Sequence, residues 1–103
     1  MKRLVWVLVM LAPVHDGAFA SVEEEGRRLA QKLCARCHAI DPEAPWNSLG
    51  STPSFMLMAK KPERYEQRVL TVTERRPHIA QRLTVTPDDL ERILAYIRTL
   101  KRD

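Results

Sequence analysis

Cys34-Ala35-Arg36-Cys37-His38 is the most informative segment of this sequence. Its two cysteines lie three positions apart, so that near the end of a helix their thiols are one turn from each other. Each thiol can then add to one vinyl group of the same haem, while the adjacent imidazole reaches the iron. The spacing predicts one covalently attached haem c, with Cys34 and Cys37 as attachment points and His38 as an axial iron ligand.

Three other uses of a Cys-x-x-Cys pair are less consistent with this chain. A thioredoxin-like dithiol does not need His38 and belongs to a strand and helix context that the sequence does not predict. A structural zinc site needs a second pair of ligands, which two cysteines and one further histidine after residue 20 supply poorly. A plain disulfide between the two cysteines is the third alternative.

The first 20 residues have the pattern of a secretory signal peptide. Lys2 and Arg3 precede an apolar run from Leu4 to Val14, and Ala18-Phe19-Ala20 supplies a cleavage site. The run is shorter than the roughly 20 residues of a membrane-spanning helix, so an uncleaved anchor is the weaker alternative. We expect residues 1–20 to be removed on export, leaving residues 21–103 in the periplasm without stable membrane insertion.

Composition limits the remaining classes of function. The 103-residue chain has 17 Lys and Arg against 13 Asp and Glu, a formal net charge of +4. Its basic residues are scattered among acidic ones without a series of aromatic residues, so we do not expect nucleic-acid binding. A mature chain this short forms one domain, and its small hydrophobic core usually needs an additional source of stability. A covalent haem would supply it.

The rest of the sequence predicts helices joined by long loops. Four helices are expected. The first begins at the Ser21 cap, the second covers residues 54–59, the third runs from Pro62 to about Val72, and the fourth begins at the Thr86 cap. Proline and glycine residues between positions 41 and 53 predict a loop wrapped over another group. A second loop is predicted for residues 73–85. No segment of the sequence shows the pattern of a β-strand, so the predicted fold class is all-α.

Over the entire mature chain the sequence resembles the class I (mono-haem) cytochrome c family. Gly26-Arg27-Arg28-Leu29-Ala30 before the cysteine motif resembles the first helix of that family. Leu94-Ala95-Tyr96-Ile97-Arg98-Thr99-Leu100 resembles its last helix. The resemblance implies a small cytochrome c-like domain, in which the N- and C-terminal helices cross at Gly26 and Tyr96 and long loops wrap the haem.

At the second axial position the sequence departs from that family. Class I cytochromes usually have a Met, often followed by Pro, in a loop before the last helix. Here Ile79-Ala80 stands in that place, and no Met follows Met58. His78, in the same loop, is the main candidate for the distal ligand. Met56 and Met58 are alternatives whose expected role is apolar packing, and an open sixth position is the last alternative.

Further residues have weaker predicted roles around the haem. Pro45 could offer its carbonyl oxygen to Nδ1 of His38 and so fix the tautomer of the ring. Trp46 could donate its indole N–H to a haem propionate or pack against the porphyrin edge. Arg75 and Arg76 could neutralise the propionates.

The predicted function is that of a periplasmic electron carrier and not of an enzyme. It would pass single electrons between redox proteins such as a dehydrogenase and an oxidase or reductase, since a domain this small leaves little room for a substrate pocket beside haem. The missing Met keeps a second hypothesis open, a haem protein that binds or senses small ligands such as carbon monoxide. A third hypothesis is the haem subunit of a larger oxidoreductase complex.

Overall fold

The computed structural model describes Arg3, Val5 and residues 20–75, 78 and 83–101. The predicted signal peptide, residues 1–20, lies almost entirely outside the described residues, and so does Arg76. The helices are α1 (Val22–Leu33), α2 (Phe55–Lys60), α3 (Pro62–Leu70) and α4 (Pro87–Thr99). Two three-residue 3-10 turns, Pro45–Asn47 and Val72–Glu74, are added to them. No strand forms within these residues, and the all-α prediction is confirmed.

The helices begin where the sequence supplies a cap. The Ser21 side chain accepts the N–H of Glu24 at 3.1 Å, and at the start of α2 the Ser54 side chain accepts the N–H of Leu57 at 3.1 Å. At α4, the hydroxyl of Thr86 accepts the N–H of Asp89, and the Asp89 carboxylate accepts the N–H of Thr86, both at 3.1 Å. These reciprocal bonds satisfy two otherwise unpaired donors of the first turn.

One helix ends earlier than predicted. We expected the third helix to reach about Val72, but α3 ends at Leu70 and Val72 begins a 3-10 turn. The hydroxyl of Thr71 donates to the carbonyl oxygen of Gln67 at 2.7 Å. A local bond of this kind, followed by β-branched residues, makes continued α-helix less favourable.

The terminal helices α1 and α4 pack against each other and form the main helix contact of the fold. Gly26 is buried there, and a Cβ atom at this position would collide with the backbone carbonyl oxygen of Arg92. Glycine therefore lets the two backbones approach closely. Arg92 also pairs with Glu25 at 3.0 Å across the same contact. The predicted crossing of the terminal helices is confirmed, with Tyr96 one turn further along α4.

One apolar core connects these helices to the segment that follows His38. Its buried members are Ala30, Ile40, Phe55, Met58, Ala59, Leu90, Ile93, Tyr96 and Ile97. They come from α1, α2, α4 and the chain directly after the cysteine motif. No helix among the described residues is long and apolar enough to cross a membrane.

Candidate haem site

The Cys34–His38 segment closes α1 with a tight turn. Cys34 caps the helix and donates its N–H to the carbonyl oxygen of Ala30 at 2.8 Å. The N–H groups of Cys37 and His38 then both donate to the carbonyl oxygen of Cys34, at 3.1 and 2.9 Å. This turn brings the two thiols and the imidazole together at the C-terminal end of α1.

The two cysteines are half-buried thiols that are not bonded to each other. Burial, and then the neighbouring Cys37, raise the pKa of Cys34 to about 11. A reactive Cys-x-x-Cys dithiol instead has a thiol whose pKa is lowered, because the thiolate is the nucleophile. The surroundings of Cys34 therefore argue against a thioredoxin-like use of this pair.

The imidazole of His38 is held through one of its nitrogens. Its Nδ1 atom lies 2.6 Å from the backbone carbonyl oxygen of Pro53. Since a carbonyl oxygen only accepts, Nδ1 carries the proton and donates it, which leaves the lone pair on Nε2. A histidine that binds a metal usually has its other nitrogen fixed in this way.

The acceptor of that bond is Pro53, so the prediction of Pro45 is wrong. Pro45 begins the 3-10 turn Pro45–Asn47. Pro53 instead stands two residues before Phe55, whose N–H donates to the carbonyl oxygen of Ala39 at 2.8 Å. This bond pairs the end of the loop with the residue after His38 and brings Pro53, rather than Pro45, beside the imidazole.

Aromatic rings and backbone bonds complete the surroundings of His38. The ring of Phe55 is tilted against the imidazole, with 5.9 Å between ring centroids. The N–H of Ala39 donates to the hydroxyl of Ser48 at 3.0 Å, and the N–H of Leu49 donates to the carbonyl oxygen of Cys37 at 2.8 Å. Phe55 was not among the predicted site residues, because its only signal in the sequence is its place at the start of a predicted short helix.

His78 lies next to His38 although 40 residues separate them. The two ring centroids are 6.2 Å apart, and the ring planes differ by 9°. The N–H of His78 donates to the carbonyl oxygen of Arg75 at 3.1 Å. Burial lowers the pKa of His78, and the charges of His38 and Arg75 lower it further. The neutral imidazole is therefore favoured, and it is the form that binds metals.

The separation of the two rings fits a metal atom between them. A metal lies about 2 Å from an imidazole nitrogen that binds it, and the centroid of the ring lies about 1 Å further away, so two imidazoles on opposite sides of one metal have centroids about 6 Å apart. The 6.2 Å between His38 and His78 agrees with this value. The residues present thus fit a haem whose iron would be bound by both histidines.

The two candidate methionines lie on α2 and pack against the core. Met58 is buried and lines a cavity of about 200 Å³ between α2, α3 and α4. Met56 is half-buried against the same core. These surroundings agree with the apolar packing that we expected of both side chains.

The remaining candidates lie at the surface. Trp46 is 76% exposed on its 3-10 turn, so its ring is not part of the protein core. Arg75 is exposed, and its Nε donates to the hydroxyl of Thr71 at 3.3 Å. Their predicted contacts with propionates stay predictions.

Comparison with protein families gives one match, to the model described as Cytochrome c, over residues 23–101. The matched range contains α2, α3, α4 and all of α1 except its first residue, together with the Cys34–His38 segment and His78. Comparisons with curated proteins and with solved structures gave no match. The family implies a covalent haem c, and Cys34 and Cys37 have the spacing of its attachment motif.

Proposed function

We propose that this chain, which belongs to the cytochrome c family, carries single electrons between redox proteins. Members of this family are generally electron carriers rather than enzymes, and their partners are other redox proteins. Haem c supplies one-electron chemistry when it is bound. The task of the protein is then to hold and orient the haem, to supply the axial ligands and to limit access to the iron.

Cys34 and Cys37 would hold the porphyrin through two thioether bonds, and Nε2 of His38 would bind the iron. Support comes from the turn that gathers these three side chains and from the spacing of the attachment motif. The bond from Nδ1 of His38 to Pro53 adds to it, because such a bond orients the ring and makes the imidazole a stronger donor to the metal.

His78 would supply the second protein ligand of the iron. The observation that carries this assignment is the near-parallel pair of imidazoles at a centroid separation of 6.2 Å. Two protein ligands fill the coordination of the iron, which favours electron transfer over the binding of oxygen, nitric oxide or carbon monoxide. Two imidazoles also give a lower reduction potential than a histidine and methionine pair. We therefore infer a carrier of low potential.

Export is the remaining part of the proposal. The family is compatible with a location outside the cytoplasm. Lys2 and Arg3, the apolar run that follows and Ala18-Phe19-Ala20 support cleavage after Ala20 and residence in the periplasm. The donor would be a dehydrogenase and the acceptor an oxidase or reductase.

Carbon monoxide titration of the reduced protein tests electron transfer against ligand binding. If His38 and His78 both bind the iron, carbon monoxide at moderate concentration leaves the optical spectrum of the reduced parent protein unchanged. The His78→Ala variant is the positive control and should form the adduct at once. Immediate adduct formation by the parent protein would favour the ligand-binding function instead.

A further inference from the structure

We propose that Tyr96 is a positioning residue for the imidazole of His38. This inference rests on the proposed function, because it takes His38 as an axial ligand of the haem. It goes beyond the contact of the terminal helices, in which Tyr96 needs only its ring. Its basis is the hydroxyl of Tyr96, together with the aromatic contacts that lead from this residue to His38.

The hydroxyl of Tyr96 reaches the backbone directly after the axial ligand. It donates to the carbonyl oxygen of Ile40 at 2.6 Å, and both residues are buried. Ile40 lies two residues after His38, and Ala39 between them is fully buried. Ala39 is itself held by bonds with Ser48 and Phe55. Tyr96 thus completes a set of bonds that fixes the chain on one side of the imidazole.

The ring of Tyr96 is connected to the same imidazole through a second aromatic ring, that of Phe55. It lies against the ring of Phe55, with centroids 6.3 Å apart, and Phe55 in turn lies 5.9 Å from the ring of His38. Phe55 stands two residues after Pro53, whose carbonyl oxygen accepts the proton of His38 Nδ1. Tyr96 therefore contacts the helix that begins two residues after this acceptor, as well as the segment that carries the ligand.

Apolar packing does not explain the hydroxyl. A phenylalanine would fill the same space in the core, yet it would leave the buried carbonyl oxygen of Ile40 without its donor. The chain beside His38 would then shift or admit water. Since the bond from Nδ1 to Pro53 makes the imidazole a stronger donor to iron, loosening it weakens the stabilisation of the ferric state. The reduction potential should rise.

The test is Tyr96→Phe in the mature holoprotein, with Leu94→Ala as the control. Leu94 is buried on the same helix but lines the cavity shared with α2 and α3, so its loss weakens packing away from His38. Haem retention after acid–acetone extraction is measured first, because it reports on the proposed function independently of Tyr96. Potentiometry and electron paramagnetic resonance of the oxidised protein then report on His38.

We expect Tyr96→Phe to keep its covalent haem and to show broadened low-spin resonance lines with a raised potential. The ferric–ferrous equilibrium should change by about two- to tenfold; for comparison, loss of a direct partner of a metal-bound histidine costs roughly 10–100-fold in metal affinity or activity. Leu94→Ala should melt earlier with the potential of the parent. Should Tyr96→Phe yield no holoprotein, Phe55→Leu must show the same raised potential.

Two results would overturn the inference. The first is a Tyr96→Phe protein, or in its place a Phe55→Leu protein, whose potential and resonance spectrum equal those of the parent. The second is a Leu94→Ala protein whose potential shifts as far as that of Tyr96→Phe, since stability alone would then explain the effect. Loss of covalent haem from the parent protein would instead contradict the proposed function.

Discussion

His38 and His78 lie next to each other in the fold but come from different parts of the chain. His38 ends a five-residue segment whose turn is closed by bonds to the carbonyl oxygen of Cys34. His78 lies in the connection between α3 and α4, and its N–H donates to Arg75, which follows a 3-10 turn. His38 is thus placed by hydrogen bonds within five consecutive residues, whereas His78 comes from the connection between α3 and α4, 40 residues further along the chain.

Because the two histidines are placed by different parts of the chain, substitutions beside each of them should have different effects. Around His38, ring and backbone contacts come from Pro53, Phe55 and the buried segment that Tyr96 holds. Changes on this side should disturb the attachment of haem or the stability of the fold. A change of the distal ligand should alter the coordination of the iron while the haem stays attached.

The largest effect is expected on the side of His38, from Cys34→Ala combined with Cys37→Ala. Both thioether bonds are lost, so the protein should retain no haem after acid–acetone extraction. Arg36→Ala, between the two cysteines, is the matched control and should keep its haem. Recovery of unmodified thiols from the parent protein, produced in a host with haem-attachment machinery, would contradict the assignment.

On the distal side we expect His78→Ala to keep its covalent haem and lose its low-spin spectrum. With one protein ligand left, the oxidised iron should become high-spin or bind water, and the reduced form should take up carbon monoxide readily. His78→Met should restore six ligands at a higher potential. Met56→Ala and Met58→Ala serve as controls and should retain the parent spectrum. An unchanged spectrum in His78→Ala would eliminate this residue as the ligand.

Gly26→Ala tests how closely α1, the helix that leads into the Cys34–His38 segment, packs against α4. Helix propensity alone predicts that alanine stabilises α1 by about 1 kcal/mol. The collision with the carbonyl oxygen of Arg92 predicts the opposite sign, a loss of about 1–3 kcal/mol from overpacking. Thermal unfolding of the holoprotein decides between them. Gln31→Ala, at an exposed position of the same helix, is the control and should leave the melting temperature nearly unchanged.

The smallest effect concerns Asp41, three residues after His38. The backbone N–H of Glu43, and then the guanidinium of Arg27, hold the pKa of Asp41 below its ordinary value of 3.8. The resulting stabilisation is fully present above the pKa of the unfolded chain and is lost as pH falls through the lower pKa of the folded protein.

Asp41→Asn should therefore lose less stability than the parent protein when the pH is lowered past 3.8. The measurement is thermal unfolding of both holoproteins across this range of pH, with Glu23→Gln as a control for the loss of one negative charge. Equal acid sensitivity of Asp41→Asn and the parent would show that this carboxylate contributes nothing.

Most of the fold could be predicted because its signals are local. Ser21, Ser54 and Thr86 cap helices within one turn of their own positions. The cysteine motif is likewise a matter of a few consecutive residues. The end of α3 was predicted two residues too late, because the alternative bond of Thr71 competes with the helix only in the folded context.

The contacts around the imidazole could not be predicted in the same way. Several prolines between residues 41 and 53 offer the same kind of carbonyl oxygen. The pairing of Phe55 with Ala39, which joins distant parts of the chain, brings Pro53 beside His38. The bond from Tyr96 to Ile40 joins distant parts of the chain, and the sequence carries no spacing signal for it. The sequence did not decide among His78, Met56, Met58 and an open position for the distal ligand, because that choice also depends on contacts between distant parts of the chain.

The most direct test of a haem held between His38 and His78 is the near-infrared magnetic circular dichroism spectrum of the oxidised parent protein. Its charge-transfer band differs between pairs of axial ligands and between spin states of the iron. We predict a low-spin iron with the band of two imidazoles, as expected if the near-parallel rings of His38 and His78, 6.2 Å apart, both bind it. The band of a methionine–iron bond, or that of a high-spin iron, would contradict the assignment of both histidines as ligands.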